Sequence, residues 1–425
     1  MDKSNKNPAI RFKGFTEDWK NQELGESLTE RKEMQKISEN APILAFASGQ
    51  GVIDRSERKS NNRDHLTLDQ ENKIYKLTEF NDIVYNPSNL KYGAIDRNKH
   101  GRGVISPIYV TFTTEEEPSF MELIVKSEKF KLKALQYEEG TVVKRQSVSP
   151  ENLLSIEVKL SKSLNEQRKI GVFFERLDDL RIFHEHKYEK LRIIKKVMLE
   201  KMFPKNGADV PEIRFKGFSK AWKVSTFNEA FDCSIPTNTL SRANLSNTKG
   251  EIKNVHYGDI LVKYTAITDV TNTNIPFIAE GKISTYTNQL LKNGDIVIAD
   301  AAEDITVGKA IEISNIGKEL IVAGLHTIVC RPKIKIKPFY LGHYINSNSY
   351  RQPLVPLFQG TKVLSISKSN LAKTYIKYPD SEDEQYKIGT YFNNLDKLIN
   401  IHHCQLEKIK NIKKACFSKM FVAQD

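Results

Sequence analysis

NEQRKIGVFFERLDDLRIFHEHKYEKLRIIKKVMLEKMF (residues 165–203) and DEQYKIGTYFNNLDKLINIHHCQLEKIKNIKKACFSKMF (383–421) are two spellings of one segment, displaced by 218 positions. Matched pairs include Ile170/Ile388, Phe174/Phe392, Leu177/Leu395, Asp178/Asp396, His184/His402, Lys195/Lys413 and Phe203/Phe421. Neither segment contains proline, and the only glycine of each (Gly171, Gly389) stands in the first turns, so both read as long helices. Apolar residues recur at 170, 173, 177 and 180, pass through His184, and continue at 188, 191, 194 and 198. The second copy repeats the series at 388, 391, 395, 398, His402, 406, 409, 412 and 416. Steps of three and four sustained over about four heptads describe a coiled-coil seam, with a bundle stripe of period near 3.6 the alternative. The expected seam runs through Ile170, Phe173, Leu177, Leu180, His184 and Leu191 on one helix, and Ile388, Leu395, Leu398, His402 and Ile409 on the other. Two equivalent seams in one chain pack most simply on each other, and pseudo-two-fold symmetry favours an antiparallel pairing. The matched His184 and His402 read as a polar pair that sets register, with metal ligation the alternative.

Outward from the helices, a second repeat opens each copy. AIRFKGFTEDWK (9–20) and EIRFKGFSKAWK (212–223) share eight of twelve residues at an offset of 203, so the chain is a tandem repeat whose second copy is longer by 15 residues. RFKGF reads as the structural opening of each copy, with Trp19 and Trp222 as packing residues. Between opening and helix the two bodies have diverged, leaving echoes such as NDIVY (81–85) against GDIVI (294–298) and EGTVVKRQS (139–147) against QGTKVLSIS (359–367). Short β-type runs fill the bodies: PILAFA, DIVYN, GVISPIYVTF and LLSIEVKL in the first, DILVKYTAI, DIVIAD, KAIEIS and LIVAGLHTIVCRP in the second. The expected fold class is α/β (α+β): two globular bodies, 1–160 and 206–380, joined by two long helical spacers, 161–205 and 381–425, that form an antiparallel coiled coil.

Composition narrows the function. The formal net charge is +12, with an excess of Lys and Arg in both halves, which points to a polyanion such as nucleic acid. No apolar run approaches the roughly 18–20 residues of a membrane span. MDKSNKNPAI has no apolar stretch of the secretory kind, and the four cysteines are scattered without a CxxC. A cytoplasmic protein without structural zinc or a disulfide framework is expected.

Catalytic motifs fail in detail. FASGQG (46–51) has the look of a glycine loop for S-adenosylmethionine, yet the polar run after it cannot form the helix such a loop caps. YNPSN (85–89) lacks the second proline and the aromatic of an adenine-methyltransferase element. EVK (157–159) and PD (379–380) lie in different copies, and there is no P-loop, HExxH or GxSxG. No catalytic residue and no metal site is expected.

The duplicated helix signature (Glu166-Gln167, Ile170, Leu177-Asp178, His184, Lys195-Lys196 and their counterparts) and the two diverged bodies resemble the specificity subunit of type I restriction–modification enzymes. The resemblance spans essentially the whole chain. It implies a noncatalytic DNA-binding subunit with two target-recognition domains, each reading one half of a split site. It also implies docking of two methyltransferase subunits on an antiparallel coiled coil, and restriction/translocase subunits beyond them. S-adenosylmethionine, ATP and Mg would belong to those partners, with no cofactor in this chain. A 39-residue helix is roughly 58 Å long, the span of about 17 base pairs, which suits two half-sites on one duplex. Different bodies imply an asymmetric site.

Candidate DNA contacts are polar and basic loop residues. In the first body they are Ser48, Gln50, Asn86, Ser88, Lys91, Tyr92, Arg97, Arg102, Lys144 and Arg145. In the second they are Lys309, His326, Arg351, Gln359, Thr361 and Lys362. The repeated Gly-Thr turns (140–141 and 360–361) suit either a phosphate contact or a strand-end turn. Two other functions compete: a stand-alone adenine methyltransferase, and a coiled-coil tether joining protein-binding modules.

Overall fold

The computed structural model describes residues 6–47, 49–57, 73–139, 146–205, 207–248 and 250–422. The chain divides into two compact units, Met1–Phe183 with Leu406–Asp425, and His184–Gln405. The two repeated segments are helices, Leu164–Lys201 and Glu382–Met420, of 38 and 39 residues. Each helix therefore begins in the unit of its own body and ends in the other unit.

In the first unit a four-stranded antiparallel sheet runs in the order Leu28–Glu30, Val110–Thr114, Ile83–Tyr85, Ile95–Arg97. Strands Met34–Gln35, Tyr75–Thr78 and Gly103–Ile105 make a second sheet, and Leu44–Ala47 forms a hairpin with Gly51–Asp54. The second unit is built on a five-stranded sheet, Phe231–Asp232, Thr327–Pro332, Ile296–Ala299, Ala310–Ser314, Ile267–Asp269, and a four-stranded one. Most expected strands form. DILVKYTAI does not: Tyr257–Val262 is helical, because His256 caps its first turn and Asp259 is fixed there by Arg242 and Lys263. The start of LLSIEVKL is likewise the end of a helix, Pro150–Leu154, behind the cap Ser149. A four-residue apolar run has no period of its own, so capping decides it.

Each body closes on itself at a neck. Lys20–Glu23 pairs antiparallel with Glu157–Leu160 in the first unit, and Lys223–Thr226 with Tyr375–Tyr378 in the second. Beside each neck the opening phrase clamps the start of the long helix. Arg11 Nε and Nη2 donate to the two carboxylate oxygens of Glu166, each at 2.7 Å, and Trp19 Nε1 donates to Oε2 at 3.1 Å. Arg214 repeats this on Glu384 at 2.6 and 2.8 Å. Burial alone would raise the Glu166 carboxyl, but the hydrogen bonds from Arg11, Ser161 and Trp19 hold it below its ordinary range. The glutamine beside each glutamate binds backbone: Gln167 accepts from Glu117 N at 3.0 Å, and Gln385 from Lys337 N at 2.9 Å. Gly171 and Gly389 let a neighbouring segment approach; a Cβ at Gly389 would sit 2.8 Å from Pro338 O, and one at Gly171 would collide with Ser119.

The far end of each helix completes the core of the unit in which it finishes. In the first unit Phe421 meets Trp19, Phe120, Phe174 and Phe417, with ring centroids at 6.2, 5.7, 6.0 and 4.7 Å. In the second, Phe203 meets Trp222, Tyr340, Tyr344 and Phe392 at 6.2, 5.9, 5.6 and 5.6 Å. The matched surroundings expose a repeat the sequence reading missed, PSFMELIVKS (118–127) against PFYLGHYINS (338–347). In each unit the opening phrase also binds the last turn of that helix, Ile10 N to Lys419 O and Ile213 N to Lys201 O, both at 2.9 Å.

Within each unit the two helical segments run in opposite directions. Phe174 faces Phe417 and Asp178 accepts from Lys413 Nζ at 2.6 Å in the first. In the second, His184 faces His402 and Lys195 pairs with Asp396. The expected stripe needs correction. Ile170, Leu177, Ile388, Leu395 and Ile409 are buried, but Leu180 and Leu398 are 49% and 44% exposed, and Phe173 and Leu191 are half-buried. Phe174 and Phe392 take the core positions instead. A straight helix of 3.6 residues per turn drifts off a strict heptad count, so the step from 170 lands on 174. His184 Nδ1 and His402 Nδ1 are 2.9 Å apart, so one ring donates to the other. No group of three or more metal-ligating side chains occurs among the described residues.

Candidate nucleic-acid interface

The loops singled out from the sequence divide sharply by burial. Ser48, Lys144, Arg145 and the Gly140–Thr141 turn lie outside the described residues. Gln50 is exposed at the tip of the Leu44–Ala47/Gly51–Asp54 hairpin, its N–H donating to Ala47 O at 3.0 Å. Leu44–Ala47 and Gly51–Asp54 are paired strands, so the described residues of FASGQG lead into a strand and not into the helix that such a glycine loop would cap.

Asn86 and Arg97 turn inward. Asn86 is buried and caps the short helix Pro87–Tyr92, accepting from Ser88 N at 3.0 Å. Arg97 is buried, with Nε donating to Glu122 at 3.0 Å, Nη1 to Asn81 at 2.8 Å and Nη2 to Glu175. A buried guanidinium with two carboxylates and an amide is a structural tie, not a free contact. Ser88 and Tyr92 are exposed on the Pro87–Tyr92 turn, with Lys91 half-buried and its ammonium 5.5 Å from the Tyr92 ring centroid. Arg102 is exposed and paired with Glu79. Ser88, Lys91 and Tyr92 thus stand together on one turn.

In the second unit Gln359, Thr361 and Lys362 are exposed on the turn that leads into Leu364–Ser365. Gly360 has φ 101°, and a Cβ there would collide with Val363 O, so the Gly-Thr turn has a structural need for its glycine. Leu364–Ser365 pairs with Ala301–Ala302 in the register Ala302↔Leu364. The segment 303–309 and Lys362 therefore leave the same end of this small ribbon. His326 is half exposed at φ 54°, with Nδ1 3.2 Å from Asp300 Oδ1 and its ring 5.3 Å from that of Tyr257. Tyr257 adjoins His256, whose Nδ1 lies 3.4 Å from Arg242 Nη2. Burial, then Arg242, lowers the His256 imidazole and keeps it neutral. Tyr257, Arg242 and Lys263 join His326 as surface candidates that sequence reasoning missed; reading DILV as a strand hid the helix that carries Tyr257, ends at Lys263 and binds Arg242 through Asp259.

Lys309 and Arg351 are half-buried and close together. Lys309 Nζ donates to Leu261 O at 2.8 Å; Arg351 Nη2 donates to Ile305 O and Val307 O at 2.6 and 2.9 Å. Burial, then Arg351 and Lys195, lowers the Lys309 ammonium.

Residues 219–411 match the family model for the type I restriction modification DNA specificity domain. Among solved structures, the S subunit of the type I restriction-modification system from M. genitalium is similar at 14% identity and TM-score 0.58, covering 99% of this chain and 100% of that one. That likeness shows a shared fold. The HsdS subunit from Thermoanaerobacter tengcongensis gives 16% identity and TM-score 0.42 over 95% and 97% of the two chains. A chain from a structure of type I R-M complex assembly gives 15% identity and TM-score 0.45 over 97% and 99%. No curated protein sequence matches. No helix is long and apolar enough among the described residues to cross a membrane. The second copy thus matches the type I restriction modification DNA specificity domain, and the whole chain shares the fold of a type I restriction-modification S subunit, with the same frame duplicated in its first copy.

Proposed function

We propose that this subunit reads a bipartite, asymmetric DNA site, one half with the body 1–160 and the other with the body 206–380. The helical spacers, 161–205 and 381–425, pair as an antiparallel coiled coil that fixes the distance between half-sites. The observation that carries this reading is the duplication of the main frame contacts, Arg11–Glu166 with Arg214–Glu384 and Phe421 with Phe203, around bodies that differ. A common frame around unlike bodies suits unlike targets at a fixed separation. Contacts to DNA come from the exposed turns bearing Gln50, Ser88, Lys91, Tyr92 and Arg102, and from His326, Gln359, Thr361 and Lys362. Two methyltransferase subunits dock on the helices, where Leu180 with Phe183 and their counterparts Leu398 with Ile401 are exposed at matched positions. Those subunits bring S-adenosylmethionine and methylate adenine; restriction/translocase subunits bring ATP and Mg.

The test is genome-wide adenine methylation in source cells with and without this gene. A split motif with a fixed spacer that vanishes on deletion supports the reading. A split motif that persists without the gene assigns its reading to another chain. S-adenosylmethionine binding by the purified chain would favour the stand-alone methyltransferase instead.

A further inference from the structure

Within the second unit, a hollow of ≈ 400 Å³ is lined by Lys195, Lys309 and Arg351 together with Tyr264, Thr265 and Thr306, and no carboxylate lines it. Three cations around one concavity repel each other, and the depressed Lys309 ammonium records that repulsion after burial. Among the described residues only Lys195 of the three forms an ion pair, with Asp396, while Asp304 attracts the Arg351 guanidinium without a direct contact. Lys309 and Arg351 bind backbone carbonyls alone, and Arg351 Nη1 is buried with no hydrogen-bond partner among the described residues. A buried donor on a charged group left without an acceptor is destabilising, and such a group in a native protein calls for an explanation. One arginine and two lysines lining one hollow fit a tetrahedral oxyanion.

We propose that this hollow is a phosphate seat. Resting on the DNA reading above, its natural occupant is a backbone phosphate of the duplex, because Ile305, Thr306 and Lys309, which form one wall, follow a segment that leaves the same ribbon end as Lys362. Free phosphate offers the same chemistry, so the experiment separates the two sources. Among the described residues the first body shows no equivalent: aligning KAIEI (309–313) with GAIDR (93–97) puts Gly93 where Lys309 stands, and Lys131, at the place of Arg351, pairs with Glu128. The seat is thus a property of one reading head.

Arg351 also ties the turn through Ile305 O and Val307 O, so its removal risks local unfolding; Lys309→Gln is the informative change, with the exposed Lys318→Gln as control. Binding of the assembled complex to a duplex carrying its methylated motif is measured against salt, and binding of inorganic phosphate to the full chain is measured by calorimetry. Loss of one phosphate contact reduces the slope of log K against log salt by about 0.9. That reduction in K309Q, absent in K318Q, is the expected result and assigns the seat to the DNA backbone. Calorimetric phosphate binding that K309Q abolishes, with the DNA slope unchanged, assigns it to free phosphate. An unchanged slope without phosphate binding overturns the proposal. A wild-type complex that fails to bind the duplex counts against the DNA reading, and the calorimetry then still decides the seat.

Discussion

At the scale of single residues, the strongest constraint is Arg11 on Glu166. The carboxylate has no exposed surface and its partner side chain is 13% exposed, so deleting the guanidinium leaves a buried charge. Arg11→Ala is expected to destabilise the first unit by about 3–5 kcal/mol, read by chemical denaturation, and adding Glu166→Gln should recover part of the loss. Glu312 supplies a pH dependence of the opposite kind. It is buried, and its two oxygens accept from Phe339 N at 2.6 Å and Gly342 N at 2.9 Å. Burial outweighs these bonds and pushes its carboxyl from 4.5 up to about 7. The folded unit then holds a proton that the unfolded chain releases, so this stabilisation is complete below pH 4.5 and fades as pH rises to about 7. Its size is about 3 kcal/mol. Glu312→Gln should remove that slope from a plot of unfolding free energy against pH between 4 and 8; an unchanged slope would rule Glu312 out as its source. Little of this could be seen in the sequence. Asn86 and Arg97 look like surface contacts until the cap and the carboxylates Glu122 and Glu175 are located, and both carboxylate partners of Arg97 are distant in the chain.

Among elements, the long helices were the most legible, because absence of proline and a repeat of 218 residues speak through the sequence alone. Their facing residues were less so. A choice between 173 and 174 depends on whether the helix follows a 3.5 or a 3.6 period, which is decided by the packing of Phe174 against Phe417 and Phe421. Short strands rich in Val and Ile were legible at 83–85 and 296–299, where NDIVY and GDIVI still rhyme; the 257–262 helix was not, since its cap is a histidine. If the helices act as a ruler, a seven-residue insertion in register into both adds about 10 Å to their length, or about three base pairs of half-site separation. The methylated motif should keep both halves and widen its spacer accordingly; an unchanged spacer would defeat the ruler.

For the whole molecule, each unit depends on sequence from the far copy. Removing residues 406–425 would strip Ile409, Phe417, Met420, Phe421 and Val422 from the core of the first unit. Hydrogen exchange should then show loss of protection across its four-stranded sheet, with the sheets of the second unit still protected. The necks carry a different lesson. In both copies the body enters and leaves through one antiparallel ribbon, Lys20 opposite Leu160 and Lys223 opposite Tyr378, held by the same Arg–Glu clamp. Beyond the neck, each body meets the helices through a matched segment, 118–127 in the first and 338–347 in the second, which packs on Phe421 and on Phe203. Each reading head is in effect a cassette on a standard connector. A chimera carrying residues 223–378 in place of 20–160 should keep both clamps and both helices while gaining two identical heads. If each body reads one half-site, its methylation motif should become a palindrome, and the frame would take new targets by exchange of whole bodies at these necks.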